Sequence, residues 1–212
     1  MTEPRTVLVP AGRVVRWFAN FGTRHGPARF TVAGGAFHAT AEDGALAEAW
    51  LPFGRAYDGP PDASVYAEAA TATVTWGILL VRKGGFAVAT VDGAEVTASK
   101  VGQRHVQGRT KAGGQSQQRF ARRRGNQARQ AYEAAAEHAH RVLVRETTAP
   151  VQALVCGGDR SAVDAVLADP RLQPLADVRT EPWLAVPDPR RSVLDQAVVD
   201  GGSVRIRVTD PT

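Results

Sequence analysis

The sequence predicts an α/β fold built on a mixed sheet with flanking helices, and three observations carry that prediction. Strand-like runs at 74–82, 86–91 and 95–100 are joined by Lys83-Gly-Gly85 and Asp92-Gly-Ala94, both hairpin turn signals, so they read as an antiparallel meander. Apolar positions recur at i, i+3, i+4 and i+7 from Asn126 to Glu146, the signature of a long helix with one buried face. Beyond it the pattern alternates strand, helix and strand, as in sheets whose faces are covered by helices.

The elements follow in order. Ala11 to Thr23 sets Val14, Val15, Trp17, Phe18 and Phe21 at helical spacing, with Gly22 as a stop. Arg29–Ala33 and Ala36–Thr40 form a hairpin around Gly34-Gly35. Gly44–Leu51 reads as a short helix, and Gly54–Asp62, with Pro60-Pro61, as a loop. In the long helix the stripe is Ala128, Ala131, Tyr132, Ala135, Ala139, Val142 and Leu143. Phe120 and Arg124 continue it backward to Ser116, a fair N-cap; Gly125 costs about 1 kcal/mol relative to alanine without forbidding continuity. Val151–Cys156 is a buried-type strand turned by Gly157-Gly158. Asp159 or Ser161 caps a helix through Leu167, and Pro170 closes it. A short strand at 175–180, a Pro-rich surface connection at 181–189 and a strand at Ser203–Val208 complete the chain. On this reading residues 1–212 are a single domain, with an N-terminal helical segment in 1–24, a loop at 101–118 and a long helix over 116–147.

Composition narrows the class. The chain has 212 residues, 43% hydrophobic and 22% charged, ordinary for a soluble globular protein. No apolar run approaches bilayer-spanning length, and Met1 to Thr6 lacks the layout of a secretion signal. A single cysteine, Cys156, excludes an internal disulfide and a cysteine-rich zinc site. His138 and His140 fall on different faces of their helix, and His25, His38 and His105 are scattered, so no metal and no cofactor is expected. The expectation is a cytoplasmic monomer that does not associate with membranes.

Charge is distributed unevenly. The net charge is +5, yet no acidic residue occurs between Val96 and Tyr132, where Lys100, Arg104, Arg109, Lys111, Arg119, Arg122, Arg123, Arg124 and Arg129 lie. The remainder of the chain is acidic on balance. One concentrated basic element on an acidic body suits a polyanion contacted at one place, and the absence of nearby acids leaves no i,i+4 partners for a salt-bridged helix face.

Inside that stretch lies Gly113-Gly-Gln-Ser-Gln-Gln-Arg-Phe-Ala-Arg122. The glycine pair lets the backbone adopt positive φ and approach another surface closely. Gln115 offers a neutral carboxamide and its own N–H: it cannot act as a titrating base, but it can hold a water and stabilise developing negative charge on oxygen. That combination suits hydrolysis of an already activated ester, while the arginines neutralise RNA phosphates. Elsewhere, Cys156 reads as a buried structural thiol. Gly157-Gly-Asp-Arg160 reads equally as a tight turn with a cap or as an anion cradle. Trp17, Trp50, Trp76 and Trp183 read as core or half-buried residues, although Trp17 with Phe18 also suits a partner-facing pair.

The segment from Gly113 to Arg122 resembles the catalytic loop and following helix of the middle domain of archaeal and eukaryotic class-1 release factors. With Trp17-Phe18 and Lys100-Val-Gly-Gln-Arg-His-Val-Gln-Gly-Arg-Thr110, the chain is more similar to bacterial, chiefly actinobacterial, Vms-like release factors, relatives of a peptidyl-tRNA hydrolase of ribosome quality control. The resemblance is strong from Lys100 to Glu146. It implies an RNase H-like sheet with a protruding basic GGQ loop. It also implies ester cleavage on stalled peptidyl-tRNA at the peptidyl transferase centre, against 23S rRNA of the large ribosomal subunit. Gly113, Gly114 and Gln115 match the release-factor triplet; the looser Gly-x-x-Gln pattern of Vms-like proteins falls on Gly114-Gln-Ser-Gln117. Both glutamines are therefore candidates, with Gln115 preferred because it follows the glycine pair directly and leaves Ser116 to cap the helix. Arg104, Arg109, Lys111, Arg119, Arg122, Arg123 and Arg124 are the candidate RNA contacts. No stop-codon-reading domain has a counterpart, which implies codon-independent release. The alternative is a non-enzymatic ribosome- or RNA-binding domain whose basic glycine-rich loop only docks.

Overall fold

The computed structural model describes residues 3–71, 73–83, 85–103 and 129–211. Its strands form two five-stranded sheets, and the chain divides into two compact units, residues 1–74 with 198–212, and residues 75–197.

The first unit contains β1 (Arg5–Val9), α1 (Val14–His25), β2 (Ala28–Ala33), β3 (Ala36–Ala41), β4 (Leu46–Trp50) and α2 (Ala63–Ala70), and the chain returns to it to add β10 (Val204–Thr209). The strand order is β1-β10-β4-β3-β2, every pair antiparallel. One face of this sheet packs on α1 and α2: Phe18, Phe21, Phe37, Tyr66 and Ile206 are all buried in one cluster. Aromatic geometry fixes that core, with Phe37 stacked on Tyr66 at 4.7 Å and Phe18 edge-on to Phe37 at 5.1 Å. The Asp62 carboxylate caps α2 by accepting the N–H of Ser64 at 2.8 Å and of Val65 at 3.0 Å. The helix expected at Gly44–Leu51 is instead β4. Its alanines and leucine favour helix locally, but Ala47 and Ala49 face the core while Glu48 and Trp50 face away, a period of two. Pairing with β3 on one side and β10 on the other overrides the weak helical preference.

The second unit contains β5 (Thr75–Arg82), β6 (Gly85–Asp92), β7 (Glu95–Gln103), a helix α3 over 129–140 running into a π-helical turn at Arg141–Arg145, β8 (Ala153–Gly158), α4 (Arg160–Leu167), α5 (Gln173–Asp177) and β9 (Arg179–Leu184). The strand order is β7-β6-β5-β8-β9; β7, β6 and β5 form the predicted antiparallel meander, and β5, β8 and β9 run parallel. This is the mixed α/β sheet expected from the sequence. β5 is buried along nearly its whole length, which explains its unbroken apolar run. On one face, Leu79, Val88 and Leu154 pack against Ala135, Ala139, Val142 and Leu143 of α3 and its turn, the stripe predicted for that helix, and against Val163 and Val166 of α4. The strand expected at 175–180 is displaced. Residues 173–177 form α5, and β9 takes Arg179–Leu184, part of what read as a surface connection. Pro182 is tolerated because β9 lies at the sheet edge. Residues 191–201 form α6, through which the chain leaves the second unit for the first.

Candidate functional site

Every candidate catalytic and RNA-contact residue named from the sequence lies in 104–128, outside the described residues: Gly113, Gly114, Gln115, Gln117, Arg104, Arg109, Lys111, Arg119, Arg122, Arg123 and Arg124, together with the cap at Ser116. The structure does define what flanks this segment. β7 ends at Gln103, which pairs with Gly85 of β6, and Gly85 pairs in turn with Arg82 of β5. The helix that follows starts its described course on the same end of the sheet. His138 lies over Phe86 near that end, whereas the carbonyl of Val142 reaches Thr90, four residues further along β6. The segment therefore departs from, and the chain returns to, one end of the mixed sheet.

A three-residue stack sets the spacing there. Phe86 pairs across the strands with Gly102, and its ring stacks on His138 at 5.3 Å between centroids. A Cβ on Gly102 would lie 2.6 Å from Cζ of that ring, so only glycine lets the ring cover the β7 backbone one residue before the strand ends. Burial, then the charges of Arg141 and Lys100, push the His138 pKa below its ordinary value, favouring the neutral ring against Phe86. Gly77 plays the same part at the far end, where a Cβ would meet Leu143 Cδ2 at 2.8 Å. The π turn carries an i,i+5 bond, Glu146 N–H to Arg141 O at 2.9 Å, and the Val142 carbonyl accepts the buried Thr90 hydroxyl at 2.7 Å. On its outer side α3 is held by Arg171, which donates to Glu137 at 2.6 Å and to Asp169 at 2.8 Å.

The same sheet end presents the carboxyl ends of the parallel strands, the usual ligand-facing edge of an α/β sheet. Arg82 donates to the Val186 carbonyl at 2.8 Å and lies 3.8 Å from Asp159 and 3.9 Å from Asp188. The Arg160 guanidinium sits 4.3 Å above the Trp183 ring. Of the two readings of Gly157-Gly-Asp-Arg160, the tight turn fits, with Asp159 at the N-cap position of α4 but its side chain making no capping hydrogen bond. Gly158 has φ +92°, the Asp159 N–H donates to the Val81 carbonyl, and the Asp159 carboxylate supplies negative charge at the start of α4, beside Arg82. Cys156 is buried in β8 and its thiol is pushed up to about 12 by burial, as a structural thiol should be. Among the described residues no group of three His, Cys, Asp or Glu side chains converges on a metal position, and no helix is long and apolar enough to cross a membrane. Trp76 is core, its indole donating to the Gly93 carbonyl at 2.9 Å; Trp17 stacks on Phe21 at 5.7 Å.

The sequence reading missed the Phe86, Gly102 and His138 stack, although a glycine inside a strand pattern is a signal of close approach. It also missed the Arg160–Trp183 pair, which no local pattern announces.

The family model described as Actinobacteria/chloroflexi VLRF1 release factor matches residues 74–207. Among solved structures, one titled as an archaeal protein is 12% identical with a TM-score of 0.34, over 75% of this chain and 48% of its own. The archaeal translation termination factor aRF1 is 11% identical with a TM-score of 0.32, over 93% of this chain and 66% of its own. The chain thus spans about half the length of the first and 66% of the second. No curated protein matches. Because the family match takes in the whole mixed-sheet unit and the acid-free segment it carries, the chain belongs to the Actinobacteria/chloroflexi VLRF1 release factor family.

Proposed function

We propose that this protein hydrolyses the ester of peptidyl-tRNA on the large ribosomal subunit and so frees stalled nascent chains. The observation that carries this reading is the Gly113-Gly-Gln115 triplet, set in nine positive charges and no acid, within the release-factor match. The anchoring supports it, since a segment leaving from and returning to one end of a packed sheet can reach outward while its base stays fixed.

In this mechanism Gln115 binds a water beside the acyl carbon. The water oxygen attacks that carbon, the carbonyl oxygen takes up negative charge, and an N–H at Gln115 stabilises it. Collapse breaks the bond to the 3′ oxygen of the tRNA, which leaves with one proton of the attacking water, and the peptide departs as a carboxylic acid that gives the other proton to solvent. Gly113 and Gly114 permit the close approach. Arg104, Arg109, Lys111, Arg119, Arg122, Arg123 and Arg124 neutralise rRNA and tRNA phosphates. Gln117 is the second candidate for the water-orienting role.

The test is release of labelled peptide from purified large-subunit–peptidyl-tRNA complexes. Gln115→Ala should slow release by about 100-fold or more while leaving subunit binding near wild type; the same loss in Gln117→Ala alone would move the role to Gln117. If both substitutions together leave the rate intact, the protein only docks and hydrolysis belongs elsewhere.

A further inference from the structure

The sheet of the first unit buries one face against α1 and α2; its other face carries an arginine-rich surface to which the release reaction assigns no part. Strand register lays this surface out in rows. Leu8, Arg205 and Trp50 sit side by side across β1, β10 and β4. The next row holds Thr6, Arg207, Glu48, His38 and Thr31, and beyond it come Thr209, Leu46, Thr40 and Arg29. Of the eight arginines and nine acidic residues of this unit, the outward strand positions take three arginines and one acid, Glu48. The face is positive on a unit that is otherwise acidic.

Its chemistry is also planar. The Arg205 guanidinium lies 4.9 Å from the centre of the Trp50 ring and that of Arg207 5.4 Å. Glu48 accepts from Arg207 through Nε, at 2.7 Å, and through Nη2, and holds that guanidinium in place with its Nη1 side unbound by Glu48; His38 Nδ1 lies 3.9 Å from the same carboxylate. The Arg207 side chain is 49% exposed, and Arg29, Thr31 and Thr40 are exposed. The unit holds eight arginines and no lysine. Arginine differs from lysine in stacking on π surfaces and in gripping phosphate through two donors.

We infer that this face binds unpaired RNA. Bases stack on the guanidinium–indole layer over Trp50, and the phosphates between them meet Arg29, Arg205 and Arg207. Five strands about 4.8 Å apart give a platform roughly 19 Å wide, enough for the two or three bases that a sheet surface reads. Duplex RNA does not fit the chemistry, because its bases are already stacked on one another. An acidic protein would use the charge and leave the stacked planes idle.

The experiment uses the full chain with Arg119, Arg122, Arg123 and Arg124 replaced by Ser, which lowers the contribution of the basic segment. Neither Gln115 nor Gln117 belongs to this unit, so loss of hydrolysis leaves the surface standing, and the reverse. Anisotropy with a labelled single-stranded octanucleotide reads the affinity across a salt series. Arg205→Ser with Arg207→Ser should weaken binding about tenfold and lower the salt slope by about 1.4, two phosphate contacts at roughly 0.7 each. Trp50→Leu should weaken binding at least about fivefold while leaving the slope unchanged, since it removes stacking and no charge. Glu48→Gln should tighten binding about twofold, a gain that a damaged fold does not produce. Unchanged affinity in the arginine pair and in Trp50→Leu would overturn the assignment. So would equal binding of a duplex of the same length, or polyglutamate competing through the same residues.

Discussion

Gly102→Ala tests how the base of the basic segment is held. The new Cβ would lie 2.6 Å from Cζ of Phe86, and ordinary contact begins near 3.5 Å, so the ring must retreat by about 1 Å. It cannot do so freely, because His138 stacks on it at 5.3 Å and the helix behind is packed in the core. Overpacking of this kind costs roughly 1–3 kcal/mol. Set against it, alanine restricts the unfolded chain and returns about 0.4–1 kcal/mol where the backbone accepts it. The net expectation is a loss near 1 kcal/mol, a fall in Tm of about 2–4 °C for a chain of this size. The decisive measurement is a double-mutant cycle by denaturant unfolding. With Phe86→Leu in place the clash is relieved, and Gly102→Ala should become neutral or slightly stabilising, a coupling of about 1–2 kcal/mol. Release should also slow in Gly102→Ala, since the shift occurs just before Gln103. Strictly additive effects of the two substitutions would refute the stack as the element that sets this spacing.

Two further outcomes follow from the same anchoring. Thr90→Val removes the buried donor to the Val142 carbonyl and leaves that carbonyl unpaired beside the π turn, at a cost of about 1–3 kcal/mol in urea or guanidinium unfolding; a neutral result would mean the turn is satisfied without Thr90. His138 has its pKa held below the ordinary 6.5, so the unfolded chain binds the proton more readily than the folded one. Stability should be whole above about pH 6.5 and decline as pH falls through the folded value, and His138→Gln should flatten that limb. A pH profile identical in the variant would remove His138 from the account.

Much of the second unit is legible in the amino-acid sequence. Lys83 to Gly85 and Asp92 to Ala94 announced the meander because hairpin turns are local chemistry. The Ala135, Ala139, Val142 and Leu143 stripe announced its helix because 3.6-residue periodicity survives whatever the helix packs against. The candidate site was legible for a different reason: acid-free charge and a Gly-Gly-Gln triplet are properties of composition and order. Other elements were not legible. β1 is a short edge strand beside the N-terminus, α2 depends on its Asp62 cap, and α6 has no strong stripe; each went unread. β4 was misread because alanine and leucine favour helix until two neighbouring strands claim the backbone.

The residues alone determined the meander, the long amphipathic helix, the basic segment and its glutamines, because each is written in neighbours a few positions apart. Tertiary structure alone decided that the strands sort into two sheets, that β10 joins β1 and β4 from the far end of the chain, and that Phe86, Gly102 and His138 meet where the segment departs. These pairings join residues distant in sequence, and no local preference encodes which distant partner a strand edge or an aromatic ring will find.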